Sequence, residues 1–126
     1  MRFHDYHLRR YEVLENGKKI RLFLAYGYPE HETDWSEITF DEVVLYNFTH
    51  TTYSIITDIE EVSINALASD EQGNLESWQR LYGGEIWQGD LSSTIRFLEK
   101  NKYRGWYNDS AIGFHGFVIA RCVSGT

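Results

Sequence analysis

A chain of 126 residues, 42% hydrophobic and 25% charged, is long enough to bury a core without staples and too apolar to stay disordered, and it reads as a single domain over residues 1–126. Its 19 acidic residues against 12 basic ones leave a net charge of −7. That balance argues against a nucleic-acid partner, because phosphate binding depends on clustered cations, and it points towards basic partners or simply towards solubility.

Residues 6–28 read as a β-hairpin. Asn16-Gly17 is the strongest short hairpin signal, since a type I′ turn needs positive φ at both central residues. Centring the turn there sets Val13 opposite Ile20, Tyr11 opposite Leu22, Arg9 opposite Leu24 and Glu12 opposite Arg21. Pro29 is expected to end the second strand. Residues 30–36 then form an acidic loop, whose Trp35 either folds back onto the core or offers a rim contact.

Residues 38–64 are the longest apolar-rich run and contain no Gly or Pro. They read as two long neighbouring strands with a turn at 50–52. Both side-chain phases are apolar, so each face must be covered. A bulge near Asp41-Glu42 is a second way to switch phase.

After Ile64 the composition turns polar. Asn74 can cap a helix over 75–82 with Leu75, Trp78, Leu81 and Tyr82 on one face, stopped by Gly83-Gly84. Residues 90–102 read as a second helix capped by Asp90 or Ser92, or else as a strand. Residues 105–109 read as a turn. Residues 111–123 form a last strand, where Gly113 and Gly116 indicate a bulge or a close backbone approach. The fold class is therefore α+β, mainly antiparallel sheet of five or six strands, with one or two short helices in the C-terminal half.

Chemical signatures are sparse. His4 and His7 bracket Asp5, but on a strand they point to opposite faces, and no four zinc ligands assemble by spacing. Neither a metal nor a cofactor is expected. The paired acids Asp41-Glu42, Asp58, Glu60-Glu61 and Asp70-Glu71 read as solvated faces. No Gly-x-Ser-x-Gly elbow and no phosphate-cradling loop occur, so no catalytic residue is assigned. Cys122, the one cysteine, excludes an internal disulfide and sits in an apolar run, where it should behave as a small hydrophobe. Neither a signal peptide nor a membrane-spanning run is visible, which makes the cytoplasm the expected location and a membrane partner unexpected.

Aromatic residues remain. Trp35, Trp78, Tyr82, Trp87, Trp106, Tyr107 and His115 are the candidate binding residues, since Trp and Tyr are enriched at binding hot spots. His4-Asp5-x-x-Leu8 before the hairpin, and Ile38-x-Phe40-x-x-Val43 leading to Ile55-Ile56-x-Asp58-Ile59, resemble a group of small bacterial β-rich domains. Some of that group are classed with immunity proteins of polymorphic toxin systems. The resemblance spans the N-terminal half and implies a small, acidic, non-catalytic cytoplasmic protein that blocks a toxin; it carries over no catalytic residue. The alternative is a small-molecule-binding or hydrolytic barrel with a site around His7 and His115. A third reading is a self-associating subunit of a homo-oligomer.

Overall fold

The computed structural model describes residues 2–27, 31–83 and 86–125. In chain order the elements are β1 (Arg2–Leu14), β2 (Lys19–Tyr26), β3 (Thr33–Asp41), β4 (Leu45–Val62), α1 (Ile64–Asp70), α2 (Gln72–Tyr82), α3 (Leu91–Lys100), β5 (Arg104–Ala120) and β6 (Cys122–Gly125). The strands pair antiparallel in the order β5-β4-β1-β2-β3-β6, an α+β architecture dominated by sheet. The expected stop at Pro29 and the second glycine of the helix stop, Gly84, lie outside the described residues.

β5 and β6 stand at opposite margins of this sheet, yet only Arg121 separates them in sequence. The sheet must therefore curl until its margins meet at that corner. There the Arg121 N–H donates to the Asp41 carbonyl at 3.3 Å, and the Val44 N–H donates to the Ile119 carbonyl at 2.9 Å. The result is a partly closed barrel. Phe40 from β3 and Trp106 from β5 meet inside it with ring centroids 5.4 Å apart, among Leu22, Leu24, Ile56, Ile59 and Phe114.

The hairpin follows its turn chemistry. Asn16 and Gly17 both have positive φ, 59° and 93°, and the Lys18 N–H closes the turn on the Glu15 carbonyl at 3.2 Å. Val13 faces Ile20, Tyr11 faces Leu22 and Glu12 faces Arg21, but Leu8, not Arg9, faces Leu24. A bulge causes the difference. It turns Arg9 out to Glu32 at 2.8 Å and lays Arg10 over the Phe23 ring at 4.1 Å, and so returns Leu8 to the core phase.

Residues 38–64 depart from the expected pair of neighbours. The break falls after Asp41, where Glu42 has φ 52°, and β1 and β2 separate β4 from β3. β4 runs straight through residues 50–52. Its phase changes at register shifts between His50 and Ile55 and again on to Asp58, so bulges do what a turn was expected to do. Both faces are covered nonetheless. Ile56 and Ile59 enter the barrel core, while Leu45 and Val62 face the helices.

Trp35 also differs. It lies on β3, not in a loop, and is 62% exposed. Ile38 and Phe40 take the inward phase opposite Leu22 and Ile20, which leaves Trp35 in the outward one. The turn expected at 105–109 is strand: Gly105 pairs with Val62, and Tyr107 with Glu60. Cross-strand pairing overrides local turn composition there. Cys122, read as a small hydrophobe in an apolar run, is exposed on the short strand β6.

The helices form an outer layer over β4 and β5. α1 went unrecognised in the sequence. Ser63 caps it by accepting from the Ala66 N–H at 3.0 Å, and Ile64, Leu67 and Ala68 bury one face. α2 starts at Gln72, with Glu71 rather than Asn74 at the cap position, and ends at Gly83 in the left-handed conformation. Leu81, expected on its apolar face, is 65% exposed. α3 resolves the helix-or-strand ambiguity, because Asp90 caps it through the Ser93 N–H at 2.7 Å. Ile64, Leu67, Leu75, Leu98, Phe117 and Ile119 make a second core between helices and sheet. Each such buried side chain contributes about 1.5–3 kcal/mol. Among the described residues no helix is long and apolar enough to cross a membrane.

Candidate functional site

The two recesses that gather the predicted aromatic residues lie on this outer face, one at the N-terminal end of α2 and one along its middle. The first is an acidic cleft of about 430 Å³ lined by Glu60, Val62, Asp70, Glu71, Tyr107 and His115. Glu60 and Tyr107 come from paired positions on β4 and β5. Asp70 and Glu71 come from the α1–α2 junction, where the Glu71 N–H still bonds the Leu67 carbonyl at 2.9 Å. Asn74 donates to Glu71 Oε1 at 2.9 Å, and the Tyr107 hydroxyl donates to Glu71 Oε2 at 3.4 Å.

Burial pushes the Tyr107 phenol up to about 12, and the negative charges of Glu71 and Asp70 add to the shift. Tyr107 is therefore a hydrogen-bond donor at neutral pH, not a base. Glu60, Asp70 and Glu71 give the cleft a negatively charged lining. Among the described residues no three His, Cys, Asp or Glu side chains are grouped to hold a metal ion.

The second recess is an apolar groove of about 280 Å³, walled by Val44, Leu45, Leu75, Trp78, Gln79, Ile86 and Trp87. The segment carrying Trp87 is tied down by α3. The Gln88 N–H donates to Thr94 Oγ1 at 2.9 Å, and the same hydroxyl donates to the Asp90 carbonyl at 2.8 Å. Trp78 stacks on Phe117, with centroids 6.3 Å apart and planes 26° apart. Tyr107 meets the same Phe117 edge-on at 6.4 Å. Phe117, fully buried, thus lies behind both Trp78 of the groove and Tyr107 of the cleft.

Of the candidate residues, the structure brings Trp78, Trp87, Tyr107 and His115 to this face. Trp106 is not available for binding: it is 2% exposed in the barrel core, with the Arg104 guanidinium 5.0 Å from its ring. Trp35 is exposed but sits on β3. The Tyr82 side chain lies outside the described residues. Sequence reasoning passed over Glu60, Asp70 and Glu71 as solvated acids. The helical spacing Glu71, Leu75, Trp78 was the signal that could have joined acid and aromatic on one face.

His7 and His115 occupy different surroundings. His7 is buried, with Nδ1 2.7 Å from the Gly27 carbonyl and Nε2 3.3 Å from Glu32. His115 is exposed in the cleft. The nearest nucleophile–base pair is Ser54 with His50, 3.3 Å apart, but Ser54 is 1% exposed and its hydroxyl is out of a substrate's reach. No protein family, curated protein or solved structure matches this chain.

Proposed function

We propose that this chain is a non-enzymatic protein-binding domain whose α2 face receives a basic partner. In its specific form the partner is a toxin, and the chain is a bacterial, cytoplasmic protein of the immunity type that blocks it. One observation carries the reading: three carboxylates line a cleft and two tryptophans line a groove along α2, and Tyr107 of the cleft and Trp78 of the groove both pack on the buried Phe117.

The two halves do different work. Solvent-exposed charges add little affinity, about 0.2–1 kcal/mol per pair, but they steer a cationic partner and raise its association rate. Aromatic anchors supply the bulk of binding energy at protein interfaces, about 2 kcal/mol or more each at a hot spot. The resemblance to immunity domains supports the toxin form, as does the excess of acid over base in the whole chain.

The test is retention of host proteins on the immobilised chain at low salt, compared with the Glu60→Lys/Asp70→Lys variant. The native chain should retain a basic protein that the variant releases, and the retained protein should be neutralised in an activity or toxicity assay when the chain is added. Equal retention by both chains, or retention of acidic proteins only, would refute the proposal.

A further inference from the structure

We infer that the partner's contacting element is an amphipathic helix carrying an apolar anchor and a Lys or Arg seven residues apart. The inference rests on the protein-binding reading above and specifies what fills its two recesses. The groove holds the anchor between Trp78 and Trp87, and the cleft holds the cation against Glu60, Asp70 and Glu71.

The spacing comes from α2 itself. Glu71 and Trp78 are seven residues apart, two helical turns, or about 10 Å along the axis. A partner helix laid alongside α2 spans that distance with residues i and i+7, which share one face. An extended segment covers it in three residues, but then its two end side chains point to opposite faces. Charge selects the sign of the polar end, since carboxylates converge on the cleft. The Tyr107 hydroxyl, 3.4 Å from Glu71, holds that carboxylate in place towards the cleft.

The experiment is selection from a displayed random library of peptides about 15 residues long, four helical turns, against the intact chain. Trp87→Ala and Glu60→Lys/Asp70→Lys serve as counter-screens; the stacking of Trp78 on Phe117 makes Trp87 the safer position. Circular dichroism and thermal unfolding check that both variants are folded. The expected result is a consensus pairing Trp, Phe or Leu with Lys or Arg at i+7. Binding of the consensus peptide should weaken about tenfold or more with either variant. Basic peptides that respond to the charge reversal but not to Trp87→Ala, or that show no seven-residue spacing, would overturn the helix inference and leave the basic-partner reading standing. Recovery of non-basic peptides, or of none, would overturn both.

Discussion

Gly116 lies between His115 of the acidic cleft and Phe117, on which both Trp78 and Tyr107 pack, so its replacement tests fold and site together. A Cβ on Gly116 would sit 2.0 Å from the Asn47 carbonyl oxygen, 2.9 Å from its carbon and 2.8 Å from Phe48 Cδ1. The nearest obstacle is backbone of the paired strand, which cannot rotate away as a side-chain end can. Relief requires β4 and β5 to part around the Phe48–Gly116 pair. Overpacking costs about 1–3 kcal/mol, and each ladder hydrogen bond lost adds about 1 kcal/mol. Gly116→Ala should therefore destabilise by about 3–5 kcal/mol, which lowers Tm by roughly 10–20 °C for a chain of this length.

Gly105→Ala is the internal control. Its Cβ would meet Leu67 Cδ1 at 2.7 Å, the far end of a side chain on α1, so the helix layer can shift and the cost should be nearer 1 kcal/mol. Urea and thermal unfolding of the two variants give the comparison. If Gly116→Ala unfolds within about 1 kcal/mol of the parent, or if the two glycines rank in the opposite order, the close approach of β4 to β5 is not the constraint described.

Three further outcomes follow from the same geometry. Tyr107, raised to about 12, should be a late-titrating phenol in an ultraviolet pH titration, alongside Tyr6, which its bond to Asp34 also raises; Tyr107→Phe should remove one phenol from that late step, and Asp70→Asn should bring the Tyr107 phenol down. Because the folded value lies above the unfolded one near 10, Tyr107 contributes stability that is complete below pH 10 and is lost as pH rises towards 12. The Asp90 carboxyl is held below its ordinary value by the backbone N–H of Ser93. Its cap of α3 should therefore be fully effective above the ordinary Asp value and be lost as pH falls below it through the lowered folded value, so Asp90→Ala should flatten the acid limb of a stability–pH curve. Trp106→Ala should cost about 3–5 kcal/mol as a core truncation, while Trp35→Ala, on an exposed strand face, should stay within about 0.5 kcal/mol by chemical denaturation.

The parts of the fold legible in the sequence were those set by local chemistry. Asn16-Gly17 fixed the hairpin register from Val13 to Tyr11 because only residues tolerant of positive φ suit its turn, and Asp90 was one of two cap candidates for α3, a stretch that also read as a strand. Where the alternation of β4 slips, the sequence reads as a turn at 50–52, and only the long-range ladder to β5 shows bulges there instead. The same ladder drew residues 105–109 into strand despite their turn-like Gly, Asn and Asp. The arginine bulge in β1 left no local mark. The candidate site was legible by residue type, since Trp78, Trp87, Tyr107 and His115 were singled out, but its grouping was not. Residues 60, 71, 107 and 115 become neighbours only when β4 and β5 pair and α2 lies across them. Trp106 carried the same aromatic signal and faces the opposite way, a difference of one step in strand phase.

The single residue between β5 and β6 has a kinetic side. Pairing of β3 with β6 joins Asp41 to Cys122 and Ile38 to Gly125, so the seam of the barrel closes across more than half the chain. Closing a loop of that length is entropically costly before any contact rewards it, and topologies rich in such contacts fold in milliseconds to seconds rather than microseconds. The hairpin can form early from local information. The barrel cannot be sealed until the last strand arrives, and until then the edge of β3, with Trp35 outward beside it, remains open to pairing with another chain.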